Sequence, residues 1–268
     1  MRLVAVGDNV VDWYIEQDAM FPGGNAFNVA ALVRRLGMPT AYVGKLGDDR
    51  AGQGMRATLE REGVEAVRTR VEAGSNWLCR VVLRDGDRKF LGSDRGVYTP
   101  LELDDEDLSY IGGFDLLHTS IHSEVEPFLE RLAATGVRIA FDYSDRYDDN
   151  YLERTAPHVQ IAFLSHAEHD REAARGLLAR VRALGPETAV VTLGAAGSVA
   201  VEGDTVHVQP AAPVEVVDTM GAGDAFIAGF LVALRDGLPL AERMAFAAKV
   251  AAENCITPGS LGYELPAV

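Results

Sequence analysis

The stretch that most limits what this chain can fold into is 214–230, VEVVDTMGAGDAFIAGF. Its valine-rich start predicts a strand over 214–217. Asp218, Thr219 and Met220 follow, then three small residues, Gly221, Ala222 and Gly223. Small residues let a backbone approach a ligand closely. Asp224 stands at the mouth of an apolar, helical run, 225–234. The first N–H groups of a helix have no internal partner, so a glycine turn that enters a helix makes an anion site. A P-loop would add a lysine in G-x-x-x-x-G-K-[ST], and the chain has none. A carboxylate aimed at a phosphate serves the other reactant. The economical role for Asp224 is a general base taking a proton from an attacking hydroxyl. The plain alternative is an aspartate that only caps its helix.

The net charge of −15, from 25 basic and 40 acidic residues, argues against a nucleic-acid partner. It also requires any phosphate site to be local, built from N–H groups, a few cationic side chains and a divalent ion. A chain of 268 residues, 48% of them hydrophobic, has ample material for a core in one large domain or one domain with an appendage. No apolar run reaches the length of a membrane span. The first apolar run breaks at Asp8, which fits a strand better than a signal peptide. Two cysteines, Cys79 and Cys255, are too few for a disulfide framework and point to a reducing, cytoplasmic setting. The pairs His118/His122 and His166/His169 lack the spacing or further ligands of a zinc site. His118 and His122 either line a pocket at a sheet edge or are polar loop residues.

Along the chain, strands are expected over 2–7 and 10–16, with the turn Gly7-Asp8-Asn9 between them. Asp12 lies among Val, Trp and Tyr. It needs partners if buried, and otherwise faces solvent. Gly23-Gly24 permits a sharp turn, and a helix then runs to Gly37. Asn25 and Asn28, three apart, share one face of it, where two amides can grip hydroxyls. A strand over 40–46 and a helix over 49–62 come next. Short β segments over 66–98, with a hairpin at Asp85-Gly86-Asp87, join 10–22 to make a small lid. Beyond residue 114, strands (114–118, 137–142, 161–164, 189–193) alternate with helices (124–135, 150–155, 167–184). A hairpin over 199–208 and a helix over 240–256 complete the pattern. This alternation predicts an α/β doubly wound sheet with helices on both faces. Ligands of such sheets sit at the carboxyl ends of the strands. Asp142, Ser165, Glu168 and the segment 192–197 fall there.

Two motifs, Gly23-Gly24-Asn25-Ala26-Phe27-Asn28 and Asp218-Thr219-Met220-Gly221-Ala222-Gly223-Asp224, together resemble the signatures of the ribokinase-like (PfkB) family of carbohydrate kinases. The second matches D-T-x-G-A-G-D in full, and the likeness covers essentially all of the chain. Gly7 to Asp12, Phe141 to Asp145 and the stretch through Phe230 are similar to the branch that phosphorylates fructosamines such as fructoselysine. The resemblance implies one ribokinase-like α/β kinase domain over 1–268 with a small β-sheet lid. It implies phosphoryl transfer from ATP, with Mg²⁺, to a sugar hydroxyl.

Carried over, Asp224 is the base, and the N–H groups of Gly221, Ala222 and Gly223 are the anion hole. Asp8, Asp12, Gly23, Gly24, Asn25 and Asn28 bind the sugar. Thr192, Gly194, Gly197 and Thr219 bind the nucleotide. Glu168 acts on Mg²⁺ through water, although Ser165 replaces the asparagine of the usual Asn-x-x-Glu. Asp218 borders a monovalent-cation site, although the tail 257–263 departs from the family pattern. Glu16, Asp18 and Asp94 are lid candidates for the ammonium group of a fructosamine. The lid's open edges predict a homodimer. The competing readings are a different acceptor (ribose, fructose, a deoxy-keto acid or a nucleoside) and a sugar or nucleotide sensor without catalysis. A Rossmann oxidoreductase is disfavoured because no G-x-G-x-x-G follows the first strand.

Overall fold

The computed structural model describes residues 1–84, 87–166 and 170–265. In chain order the strands and helices are β1 (Leu3–Val6), β2 (Val10–Tyr14), β3 (Ala19–Gly23), α1 (Asn25–Arg35), β4 (Thr40–Val43), β5 (Lys45–Gly47) and α2 (Arg50–Glu62). Then come β6 (Arg70–Glu72), β7 (Leu78–Arg84), β8 (Asp87–Asp94), α3 (Asp105–Ile111), β9 (Leu116–Ser120), α4 (Leu129–Ala134) and β10 (Arg138–Asp142). The last are α5 (Asp149–Thr155), β11 (Ile161–Ser165), α6 (Arg171–Leu184), β12 (Thr188–Thr192), β13 (Ser198–Glu202), β14 (Thr205–Gln209), α7 (Ala222–Arg235) and α8 (Leu240–Asn254).

Eight strands form the central sheet in the order β4-β1-β9-β10-β11-β12-β13-β14. The six from β4 to β12 are parallel, and β13 and β14 run antiparallel. The strands are apolar on both faces, as parallel strands under two helical layers must be. Leu3 and Ala5 of β1 pack with α1, α2, α7 and α8, while Val4 and Val6 pack with α3, α4, α5 and α6. Helix α7 is buried without a break from Ala225 to Ala233, which fits a helix that is apolar all round. Gly229 lets it cross α8 closely, because a Cβ there would sit 3.0 Å from Ala247 Cα. Phe230 of α7 meets Phe163 of β11 edge-on at 5.4 Å. Burying a side chain of this size contributes roughly 1.5–3 kcal/mol.

From β1 the chain goes to β4 on one side and later to β9 on the other, so the order reverses at β1. A crevice outside the carboxyl ends of the strands at such a reversal is where ligands of open α/β sheets bind.

A second sheet, in the order β3-β2-β7-β8, is built from the segments 10–23 and 78–94. Its small core is Tyr14, Ala19, Phe21 and Val81, together with Met220 from the central stretch. Phe90 and Leu91 on β8 are exposed. No helix among the described residues is long and apolar enough to cross a membrane.

Four expectations change. Residues 214–217 form no strand; Val214, Val216 and Val217 are exposed, and Val217 N–H donates to the Cys255 carbonyl. The span 40–46 divides at Gly44, because β4 belongs to the central sheet and β5 pairs with β6. The helix over 124–135 shortens to α4 behind a 3-10 turn containing Pro127, after Glu124 takes a left-handed φ of 53°. His118 lies within β9 instead of at its end. The hairpin tip 85–86 and the start of the helix over 167–184 lie outside the described residues.

Candidate active site

Helix α1 is aimed at the crevice by a remote cap. Its N-cap, Gly24, has no side chain to offer. Asp8, just past β1, supplies the cap instead: Oδ2 accepts the Asn25 N–H at 2.7 Å and Oδ1 the Ala26 N–H at 3.2 Å. Ser120 and Ser123 also donate to Oδ1. Asp8, expected in the sugar set, thus spends both oxygens on the fold. The glycine pair permits the approach. A Cβ on Gly24, at φ 99°, would fall 2.5 Å from Asn9 Cα, and one on Gly23 would fall 2.2 Å from Asp12 Oδ2. Asp12 is buried on β2 of the outer sheet.

The first turn of α1 faces the first turn of α7. Asn25 Nδ2 donates to Asp224 Oδ1 at 2.7 Å, and Asn28 Nδ2 donates to Asp224 Oδ2 at 2.7 Å. The second hydrogen of Asn25 Nδ2 goes to Asp142 Oδ2, 2.9 Å away at the end of β10. Asn25 Oδ1 meets Nε2 of His118 at 2.8 Å. Asn28 Oδ1 is buried and has no partner among the described residues.

Burial pushes the Asp224 carboxyl up to about 8, the nearby Asp142 and Asp8 add to the rise, and the Asn28 and Asn25 amides oppose it. Asp142 is likewise pushed up to about 6 by burial, against the N–H of Ser144 and the charge of His122. Burial lowers His118 to about 3, so its imidazole is neutral.

The turn before α7 is clamped from two sides. Asp218 Oδ1 accepts the Met220 N–H at 2.9 Å. Its Oδ2 accepts Tyr14 Oη–H of the outer sheet and the Gly259 N–H of the tail, both at 2.8 Å. Asn254 Nδ2 donates to the Met220 carbonyl. Gly221 takes φ 73°, and a Cβ there would lie 2.6 Å from Ser260 Cβ.

Among the described residues no side chain caps α7, whereas aspartates cap α2, α3, α5 and α6. Of the three expected anion-hole donors, the Ala222 N–H already bonds the Thr219 carbonyl at 3.2 Å. Gly223 is exposed, with open space where a Cβ would stand.

Thr192, at the end of β12, shares a 3.1 Å hydroxyl contact with Ser165. Gly194 is left-handed at φ 54°. Gly197, at φ 93°, is demanded by packing, since a Cβ would fall 2.1 Å from the Gln209 carbonyl. Val217 and Ile256 are both exposed, and Val217 N–H bonds the carbonyl of Cys255, the residue before Ile256.

Glu16, Asp18 and Asp94 are all exposed, and Asp94 Oδ1 accepts the Gly96 N–H. Glu168 lies outside the described residues. A cavity of about 350 Å³ beside α6, lined by Tyr147, His166 and Arg180 among others, includes none of the predicted site residues.

An amide-held carboxylate in the first turn of a helix that no described side chain caps, at the reversal point of a doubly wound sheet, is an arrangement suited to group transfer from an anionic donor. The pfkB family carbohydrate kinase profile matches residues 1–265, and the chain belongs to that family. It is therefore an ATP-dependent sugar kinase. Fructosamine kinase FrlD of Bacillus subtilis (strain 168) is 39% identical over 270 residues, 99% of this chain and 95% of that protein. Fructoselysine 6-kinase of Escherichia coli (strain K12) is 36% identical over 252 residues, 94% and 96% of the two chains. Arabidopsis thaliana ribokinase, solved with ribose and ATP, has the same fold: TM-score 0.81 at 24% identity, with 96% of this chain and 93% of that one covered.

Proposed function

We propose that this kinase phosphorylates the 6-hydroxyl of a fructosamine, fructoselysine or a close analogue, with Asp224 as general base. The observation that carries the chemistry is the grip of Asn25 and Asn28 on both oxygens of Asp224 at the mouth of an uncapped α7. A carboxyl poised at about 8 takes a proton readily near neutral pH, where a general base works best. Asn28 Oδ1, buried and without a partner among the described residues, accepts a sugar hydroxyl next to the base. Asp12 completes the sugar side, beneath the outer sheet acting as lid, while Asn25, its amide taken by Asp142, Asp224 and His118, holds the base. The N–H groups of Gly221 and Gly223 face the migrating phosphoryl group. Donors aimed at developing charge contribute several kcal/mol to such a transfer.

On the nucleotide side, Thr192, Gly194 and Thr219 border the phosphates, and Val217 and Ile256 offer an apolar surface to the base. Glu168 would be the chain's contact, through water, with a nucleotide-bound Mg²⁺. That ion would supply the positive charge that offsets repulsion between the phosphates and the acidic protein. A monovalent-cation site beside Asp218 would need main-chain carbonyls, since that carboxylate already accepts three donors.

The branch assignment rests on the two relatives named for fructosamine substrates. The amino-acid part of fructoselysine brings an ammonium and a carboxylate. Arg95 and Glu124, paired at 2.7 Å, offer both complements. Arg95 lies over Trp77 and Tyr98, and Tyr98 Oη–H donates to the His122 carbonyl. The reading includes a cytoplasmic homodimer, paired through the exposed edge with Phe90 and Leu91.

An ADP-release assay across fructoselysine, other fructosamines, fructose and ribose tests the assignment. The expected result is the highest kcat/KM for a fructosamine. A strong preference for an unmodified sugar would reject it.

A further inference from the structure

Given Asp224 as the base, the reading on which this role depends, we infer that His118 is a positioning residue. It holds the Asn25 amide in the one orientation that favours the ionised base. His118 is fully buried on β9 and touches no reacting atom. It acts only through its 2.8 Å bond to Asn25 Oδ1.

The donor inventory fixes the geometry. Asn25 Nδ2 has two hydrogens, and two carboxylates take them: Asp142 at 2.9 Å and Asp224 at 2.7 Å. The amide oxygen only accepts, so His118 Nε2 must carry its proton. Burial keeps the ring neutral, so Nδ1 has a bare lone pair, and Nδ1 has no partner among the described residues. The ring is thus a fixed single donor aimed at Asn25.

That donor matters most when Asp224 is protonated. A carboxylic acid is itself a donor and would find an acceptor in Asn25 Oδ1 if the amide turned over. By occupying Oδ1, His118 denies the protonated base that partner and leaves Asn25 donating to the carboxylate. Removing His118 should therefore stabilise protonated Asp224. The other groups facing this cluster stay in place: Asp8 after β1, Asp142 and Asp145 at the end of β10, His122 after β9, and the neutral Asn28 of α1.

The test is the pH profile of kcat/KM in His118→Leu and His118→Gln. The profile reports the free enzyme's base. One neutral hydrogen bond corresponds to about half a unit to one unit of pKa. In the leucine variant the acid limb should move up by that amount. The loss should be about three- to tenfold below the limb and small on the alkaline plateau. Glutamine, which keeps an N–H donor, should restore the wild-type limb. Equal losses at every pH, or a glutamine variant as impaired as leucine, would overturn the proposal.

Nitrogen NMR of the wild-type ring keeps it falsifiable if the variants do not fold. The neutral Nε2–H tautomer is expected from pH 6 to 9. An Nδ1–H tautomer or an imidazolium would contradict it. Failure of the base reading is separate: it would appear as turnover retained in Asp224→Asn, whatever the His118 tautomer.

Discussion

Asn28 Nδ2 donates to Asp224 Oδ2 at 2.7 Å across 196 positions of sequence. This bond joins the two motifs and opposes the burial that pushes the carboxyl up. Replacing Asn28 with leucine removes a donor to a charged acceptor, an interaction of about 1.5–3 kcal/mol. The acid limb of kcat/KM in Asn28→Leu should rise by about one unit or more, and Tm should change less than activity. A pH-rate profile beside a melting curve checks both.

Asp224 also links stability to pH. Its folded pKa, about 8, lies above the ordinary carboxyl value of 3.8. Between those values the folded state holds a proton that the unfolded chain has released. The stabilisation is therefore full below about 4, declines as pH rises, and is lost above about 8. Melting curves from pH 5 to 9 should show Tm falling more steeply for the wild type than for Asp224→Asn. Equal slopes would contradict the raised pKa.

Two glycines three residues or fewer from Asp224 should fail in different ways. Gly221→Ala forces a left-handed φ of 73° on alanine and drives its Cβ to 2.6 Å from Ser260 Cβ, so it should lower Tm. Gly223→Ala meets open space and sits inside a helix, where alanine is favoured by about 1 kcal/mol. That variant should melt no lower than the wild type yet lose turnover if, as proposed, the phosphate approaches over Gly223, where the methyl group would stand. Paired calorimetry and steady-state kinetics separate the two outcomes.

The outer sheet and the glycine turn are tied through Tyr14 and Asp218. Tyr14→Phe keeps the buried ring and leaves Asp218 one donor short, at a cost of about 1–3 kcal/mol. Tm should fall by roughly 2–4 °C per kcal/mol. If, as proposed, the turn serves the nucleotide and the sheet the sugar, the KM for nucleotide should rise with the KM for sugar. A rise in the sugar KM alone would show that the tie carries no coupling.

The sequence made much of this legible and hid the rest for identifiable reasons. Helix 49–62 could be read because Asp49 caps it and Gly63 ends it at φ 69°. The motifs holding Asn25, Asn28 and Asp224 could be read, but not the bonds between them, because 196 positions separate Asn28 from Asp224. Asp8 read as a ligand because no local pattern reveals a carboxylate that caps a helix 17 residues away. His118 read as an edge or loop residue because its side-chain partner, Asn25, is 93 positions distant. Residues 214–217 read as a strand because valine alternation also suits an exposed, extended segment.

If Asp224 takes the proton of the attacking hydroxyl, its loss must stop the chemistry and spare the nucleotide. Turnover of Asp224→Asn, measured with the affinity of the same variant for ATP, tests this most directly. The predicted result is a kcat lower by about a hundredfold or more with nucleotide affinity within a few fold of the wild type. A variant that turns over at near wild-type rate would contradict the account.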